Sequence, residues 1–480
     1  MDKFVIEGGR PLHGRVRCGG SKNAALPILA ASLLTEEPLV VENAPQVADV
    51  DSMLALLRSL GSKAERRADG ALAVRSARLP KDRASWNHVR RMRGSVAVLG
   101  PLLARTGRAV VSQPGGCVIG VRPIDLHLKG LRALGATIET EHGYVVARGP
   151  AGRLKGAEMY LGGASGSTVL GTGNVMMAAS LARGRSVIHG AACEPEVVDL
   201  GRCLIAMGAR IEGLGSPRIE VEGVEALHGA THAVIPDRIE AGTFLIAGAL
   251  TGGAVRVEGC RPDHLAILLE RLSEAGLPHD RGADWVASLP YDIRDRERAP
   301  RPTDVTTLPY PGFPTDLQAQ WMALMTQAGG MSLITEQIYP DRYMHVAELM
   351  RMGAQVRRQG TSAIVMGPSA LSGAQVMASD LRASAGLVLA GLVARGVTEV
   401  HSVYHIDRGY ERIEERLRAL GAVIERASER DGAEGELPPP PDAFAAAAAA
   451  AAAASPLRKR SRQAVPRPSA RPAARKVRQA

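Results

Sequence analysis

Six times along the chain an amphipathic run closes on an apolar residue followed by glycine, and an alternating polar–apolar segment comes next. The pairs are Leu60-Gly61, Leu134-Gly135, Met207-Gly208, Ala275-Gly276, Met352-Gly353 and Leu420-Gly421, with successive glycines 74, 73, 68, 77 and 68 residues apart. Each glycine stands where a helix end favours a residue tolerant of left-handed backbone. β-prone residues follow, as in Ala136-Thr-Ile-Glu-Thr-Glu, so the spacing predicts six copies of one supersecondary unit. Earlier in each unit runs a second helix, apolar on most faces and rich in Ala, Gly and Met, over residues 21–34, 92–105, 171–183, 239–250, 315–328 and 381–395. Helices apolar all round belong in a core. The pattern therefore predicts an α/β protein whose helices are buried.

The starts of these helices carry Lys22 with Asn23, Arg93, Thr172, Arg238 with Glu240, Asp316, and Asp380 with Arg382. At matching phase they are predicted to gather in space, each with free N–H groups and a positive dipole end, a setting that holds an anion well. A single Lys or Arg at a helix start reads first as a cap or a surface charge. Basic groups at four of six equivalent starts point instead to a shared ligand. Arg122, Arg342 and Arg408 add to the set. The ligand implied is compact and highly anionic, because Arg forks bind phosphate and carboxylate bidentately.

Composition narrows the class. At 480 residues there is core enough for about three average domains, and with 45% apolar but only 3% aromatic residues that core is built from aliphatic side chains and Met. The net charge of +10 sits mostly in the tail: residues 455–480 carry nine Lys or Arg and no acid, leaving the rest near +1. Before that tail lie Pro438 to Pro441 and the run Ala445 to Ala454, which read as linker. The tail is read first as a solvated appendage and second as a docking segment for an acidic partner such as RNA or a membrane surface. The five scattered cysteines (18, 117, 193, 203, 260) favour neither a disulfide framework nor a zinc site, and fit a reducing cytoplasm. The first residues do not read as a secretory signal, and no apolar run suits membrane insertion. Cys117 stands apart, on the glycine-rich loop Gln113-Pro-Gly-Gly-Cys and five residues before Arg122. A mobile thiol near positive charge is a candidate for chemistry.

Seven ordered motifs identify the chain further: Gly20-Ser-Lys-Asn-Ala-Ala-Leu-Pro, Met92-Arg-Gly-Ser, Pro114-Gly-Gly-Cys-Val-Ile-Gly-Val-Arg-Pro-Ile-Asp-Leu-His, Pro236-Asp-Arg-Ile-Glu-Ala-Gly-Thr, Phe313-Pro-Thr-Asp-Leu-Gln-Ala-Gln, Asp380-Leu-Arg-Ala-Ser and His405-Ile-Asp-Arg-Gly-Tyr-Glu-Arg. Over about residues 1–426 it closely resembles the UDP-N-acetylglucosamine 1-carboxyvinyltransferase family of enolpyruvyl transferases, which opens peptidoglycan precursor synthesis. The resemblance implies a two-domain inside-out α/β barrel, three βαβαββ-type units to a domain, with the active site in the cleft between them. The implied boundaries are residues 22–235 for the domain carrying the Cys117 loop, 1–21 with 236–427 for the second, and 428–480 for linker and tail.

Carried over residue by residue, the resemblance implies that Lys22, Asn23, Arg122 and Arg408 hold phosphoenolpyruvate. Arg93, Arg122, Pro123, Ile124, Asp125, Leu126, Asp316 and Ile338 are the implied contacts of the UDP-sugar, with Thr168 and Val169 on the uridine side and Arg342 and Arg382 as further cleft arginines. Cys117 matches the loop cysteine that acts as general acid and is alkylated by fosfomycin. The chemistry needs an acid near C3 of phosphoenolpyruvate and a base near the sugar 3′-hydroxyl; Cys117 is assigned to the first and Asp316 to the second, with Lys22, Arg122 and Arg408 stabilising developing charge. No cofactor or metal is required by this scheme. Three departures stand out: Cys193 replaces an arginine in Gly190-Ala-Ala-Cys-Glu-Pro-Glu, Gly94 replaces the commoner alanine, and residues 162–174 match the family's uridine-side loop poorly. The alternatives are the sister enzyme, 3-phosphoshikimate 1-carboxyvinyltransferase, which lacks the Pro-Gly-Gly-Cys loop, and a non-catalytic paralogue that binds the UDP-sugar or uses its basic tail on nucleic acid.

Overall fold

Strand pairing explains the sixfold repeat. The computed structural model describes residues 2–113, 124–293, 295 and 299–428. In one unit the short strand Arg83–Ala84 runs parallel to Arg108–Ser112, which pairs antiparallel with Tyr144–Arg148, itself antiparallel to Thr137–Glu141. The buried segment from Arg93 to Thr106 joins the first two strands, and the amphipathic helix Asp125–Ala133 leads into the hairpin. A parallel pair needs such a crossover, whereas the antiparallel hairpin closes with a tight turn. The same order, one parallel and two antiparallel pairings, recurs in all six four-stranded sheets.

The six glycines of the sequence repeat all have left-handed backbone, with φ between +71° and +114°. The second helices are buried as expected: every residue of Ile239 to Leu250 is inside, and so is Leu381 to Leu392. Their boundaries differ from the sequence reading most clearly at three of their starts. The helix expected over 92–105 is a 3-10 segment, Arg93–Val98, followed by the α-helix Leu99–Thr106. Pro101 has no N–H to give to the carbonyl of Ala97, so the α-helical ladder cannot run through. The helix expected from 315 begins as a 3-10 turn, Thr315–Leu317, before Gln318–Met325. The helix expected from 171 starts at Val169 instead, because Thr168 caps it by accepting from the N–H of Gly171.

Two hydrophobic cores form. One runs from Ala24 to Ile235; the other combines Phe4 to Cys18 with Ile239 to Ile424. The N-terminal strands belong to the second: Asp2–Glu7 lies between Val397–His401 and Val423–Ser428, and His13–Arg17 pairs with Ala254–Glu258. In the first half, Pro38–Glu42 takes its parallel partner from Ala230–Ala233, far along the chain. The result is a two-domain α/β fold. Among the described residues no helix is long and apolar enough to cross a membrane.

The chain crosses between halves twice, and the crossings are stitched together. The N–H of Ser21 donates to the carbonyl of Ile235 at 2.7 Å, and that of Asp237 to the carbonyl of Gly19 at 2.9 Å. Glu240, buried at the start of its helix, accepts from the N–H of Gly19 at 2.6 Å and pairs with Arg416 at 2.8 Å. Gly20 sits where backbone presses on backbone: a Cβ there would lie 1.7 Å from the carbonyl oxygen of Asn43. Gly20→Ala is accordingly expected to cost about 1–3 kcal/mol, read as a lower urea midpoint; an unchanged midpoint would contradict this packing.

Candidate active site

Two carboxylates organise the groove between the halves. Asp49 lies in the first turn of the helix Ala48–Leu60, and its side chain is almost wholly buried. Its Oδ2 is 3.1 Å from Nζ of Lys22, and its Oδ1 accepts from Nε of Arg408 at 2.9 Å. Lys22 opens its own helix behind Ser21, whose hydroxyl accepts from the N–H of Ala24. Arg408 arrives from the other half, on the loop whose Asp407 carbonyl accepts from the N–H of Ala48 at 3.0 Å. Three ionic groups from both halves thus meet at one point.

Asp316 is the second centre. Its Oδ1 accepts from Nη1 of Arg342 at 2.8 Å, and its Oδ2 from Nη2 of Arg382 at 3.2 Å and Nδ2 of Asn23 at 3.3 Å. Asn23 reaches it from the first half. Asp380 caps the helix Leu381–Val393 through the N–H groups of Arg382 and Ala383, which places Arg382 at the helix start. The Arg382 guanidinium lies over the Tyr410 ring, 5.2 Å from its centroid, and keeps two buried donors, Nε and Nη1, without a hydrogen-bond partner among the described residues. Unpaired cationic donors in a buried site leave strong demand for an anion.

A third contact crosses the groove. Arg238, at the start of the helix Arg238–Leu250, pairs with Glu196 at 3.0 Å and stacks on Tyr310, whose N–H donates to Glu194 at 3.3 Å. Cys193 stands beside Glu194 as a half-buried thiol, and Oε2 of Glu194 is buried without a partner among the described residues.

Electrostatics follow from this layout. Burial pushes the Asp316 carboxyl up, but Arg382, Arg342 and Lys22 outweigh it and hold the group well below the usual carboxylate range. Asp49 behaves alike: burial raises it, Lys22 and Arg408 win, and the carboxyl is held low. Burial pulls the Lys22 ammonium down; Asp49 opposes this and Arg382 and Arg408 add to it. His127 drops to about 4 through burial and the nearby charge of Arg93. None of the four described thiols is activated: burial pushes Cys18, Cys193, Cys203 and Cys260 up, Cys203 to about 12 and Cys260 to about 11.

Of the residues expected from sequence, Lys22, Asn23, Asp316, Arg342, Arg382 and Arg408 are brought together around these two carboxylates. Arg93 opens its 3-10 segment near His127. Ile124 packs on the first core and Asp125 begins its helix; Leu126 lies against Gly163, where a Cβ would approach its Cδ1 to 3.1 Å. Ile338 lines a cavity of about 360 Å³ with Ala164, Ser165 and Gly166 on one side and Leu308 and Pro309 on the other. Thr168 acts as a helix cap, and Val169 borders a separate small cleft rather than that cavity. Cys117, Arg122 and Pro123 lie outside the described residues, as does the basic tail. Sequence reading missed Asp49, whose place in a helix first turn is ordinary for an acid. It also missed Glu336, a fully buried carboxylate in a loop. Among the described residues no group of three or more His, Cys, Asp or Glu side chains suits a metal.

Comparison with known proteins places this geometry. A family model described as EPSP synthase (3-phosphoshikimate 1-carboxyvinyltransferase) matches residues 6–417. The UDP-N-acetylglucosamine 1-carboxyvinyltransferase of Anaeromyxobacter sp. (strain Fw109-5) is 55% identical over 431 residues, 89% of this chain and 99% of that protein. Its namesake from Coxiella burnetii (strain RSA 493 / Nine Mile phase I) is 51% identical over 428 residues, 89% and 96% of the two chains. Among solved structures, the enolpyruvyl transferase NikO from Streptomyces tendae superposes with a TM-score of 0.80 at 27% identity, covering 89% of this chain and 99% of its own. An EPSP synthase from Acinetobacter baumannii shares the fold at 18% identity, with a TM-score of 0.66 over 89% and 100% of the two chains.

The Asp49 cluster carries a pH signature. Its folded value lies below the ordinary 3.8, so its stabilisation is complete above that pH and is lost as pH falls through the depressed value. Asp49→Asn is expected to cost about 3 kcal/mol at neutral pH, with the gap to wild type narrowing as both are acidified. Urea midpoints across pH check this, and a gap independent of pH would contradict it.

Proposed function

The chain belongs to the EPSP synthase family, the enolpyruvyl transferases, and we propose that it moves the enolpyruvyl group of phosphoenolpyruvate onto the 3′-hydroxyl of UDP-N-acetylglucosamine, releasing phosphate. The observation that carries this reading is identity of 51–55% along nearly the whole body to transferases named for that reaction. The site supports it with two cation-rich clusters, one built on Asp49 and one on Asp316. The product opens peptidoglycan precursor synthesis. Its natural setting is the cytoplasm, in keeping with four free thiols among the described residues.

The two halves are read as the two domains, residues 22–235 and residues 1–21 with 236–427. Phosphoenolpyruvate is assigned to Lys22, Asn23 and Arg408, with Arg122 from the loop. Asp49 keeps Lys22 and Arg408 side by side before substrate arrives, so little rearrangement is needed when phosphate replaces the carboxylate as their counter-charge. The UDP-sugar is assigned to the cavity wall at Ile338, to Ile124, Asp125 and Leu126 with Arg122 and Pro123, and to Arg93.

Chemistry follows in two steps. The 3′-oxygen adds to C2 and gives its proton to Asp316, while C3 receives a proton from Cys117, forming a tetrahedral phospholactoyl intermediate. C3 then returns a proton to the Cys117 thiolate while the C2–O bond to phosphate breaks and the departing phosphate takes the proton held by Asp316, leaving the enol ether and the starting enzyme. A carboxylate gripped by two arginines is a weak base, so Asp316 gains basicity when a substrate anion draws Arg382 through its two unpaired donors. Glu194, short of one partner among the described residues, stands beside Cys193, where the resemblance implies an arginine. An acidic partner for the basic tail rests on tail composition alone.

Purified full-length protein is expected to release phosphate from phosphoenolpyruvate only when UDP-N-acetylglucosamine is present; release with shikimate 3-phosphate instead, or none, would overturn the reading. Cys117→Asp is expected to keep measurable turnover, since a carboxylic acid also gives a proton, and to escape fosfomycin. Full sensitivity in that variant would place the target thiol elsewhere. Removing residues 431–480 is expected to leave turnover unchanged, and a large loss would give the tail a role in the cleft.

A further inference from the structure

Glu336 is wholly buried, yet it lies against the same cavity as Ile338 and its hydrogen bonds reach toward Asp316. Its Oε1 accepts from the N–H groups of Ile338 and Tyr339, each at 2.9 Å, and from the hydroxyl of Thr307 at 2.7 Å. Its Oε2 accepts from the hydroxyl of Thr315 at 2.8 Å. A threonine hydroxyl has one proton. With that proton directed to Glu336, the Thr315 oxygen is left as an acceptor, and it takes Nη1 of Arg342 at 3.1 Å. The same Nη1 donates to Oδ1 of Asp316 at 2.8 Å.

One carboxylate therefore ties two parts of the site together. Its first oxygen holds the backbone at Ile338 and Tyr339, and Ile338 walls the cavity of about 360 Å³. Its second oxygen fixes the hydroxyl that aims Arg342 at Asp316. We propose that Glu336 is a positioning residue that couples occupancy of the sugar-nucleotide wall to the basicity of Asp316, through Thr315 and Arg342. This rests on the reading of Asp316 as base and of the cavity as the UDP-sugar pocket. Asp316 also faces Arg382, Lys22 and Arg238, but of these cations only Arg342 also bonds to Thr315. Loosening Arg342 removes one of the charges that hold Asp316 low, so the acid limb of turnover moves to higher pH.

The test compares three full-length variants with wild type, following phosphate release across pH and both KM values. Thr315→Val keeps shape and removes the hydroxyl; its kcat is expected to fall and its acid limb to rise in pH, with KM for UDP-N-acetylglucosamine unchanged. Thr315→Ser restores the hydroxyl and is expected to restore the wild-type acid limb. Glu336→Gln disturbs both oxygens, so its KM for UDP-N-acetylglucosamine is expected to rise about tenfold, as for a lost hydrogen bond to a charged group, along with the same pH shift. If Glu336→Gln does not fold, the Thr315 pair decides alone. An acid limb that is the same in Thr315→Val and wild type overturns the coupling while leaving the reaction in place. A wild type without turnover overturns the reaction reading itself, and the coupling with it.

Discussion

Everything in the groove depends on how this fold manages buried charge. A lone ion moved out of water costs several kcal/mol even after relaxation, and the groove holds Lys22, Asp49, Asp316, Arg342 and Arg382 largely out of solvent. The solution is to place each carboxylate between cations and to give each one a further partner from the other half. Arg408 reaches Asp49 and Asn23 reaches Asp316.

The rest of the architecture serves that balance. Repeating one unit six times puts an N-terminus of a buried helix at the groove again and again, which is how Lys22, Arg238 and Arg382 come within reach of a common centre. Stitched crossings at Gly19–Ser21 and Ile235–Asp237 join the halves on a short double connection, so charges from the two sides meet in a defined register. Pro27, inside the helix Lys22–Ala31, cannot supply the N–H that would bond the carbonyl of Asn23, leaving that backbone oxygen outside the helical ladder.

Much of this was legible in the sequence. Glycines at helix ends and apolar helices at constant phase carry their own physical reason, and the six sheets follow from them. The basic groups at helix starts were legible because four matching positions exceed what capping explains. Asp49 was not, since an acid in a first helical turn is common and its partner Arg408 lies 359 residues away. Glu336 was hidden for a similar reason: its importance comes from four donors converging in space, three of them close in sequence to no recognisable motif. The breaks in the helices at Arg93–Val98 and Thr315–Leu317 depend on local hydrogen bonding that periodicity does not resolve.

The central claim is that Asp49 and Arg408, from opposite halves, act as one unit in preparing the anion site. A double-mutant cycle on phosphoenolpyruvate affinity, with Asp49→Asn, Arg408→Gln and the pair, measures that most directly. The account predicts non-additive effects, with a coupling of about 1 kcal/mol or more. Effects that add to within about 0.5 kcal/mol would contradict it.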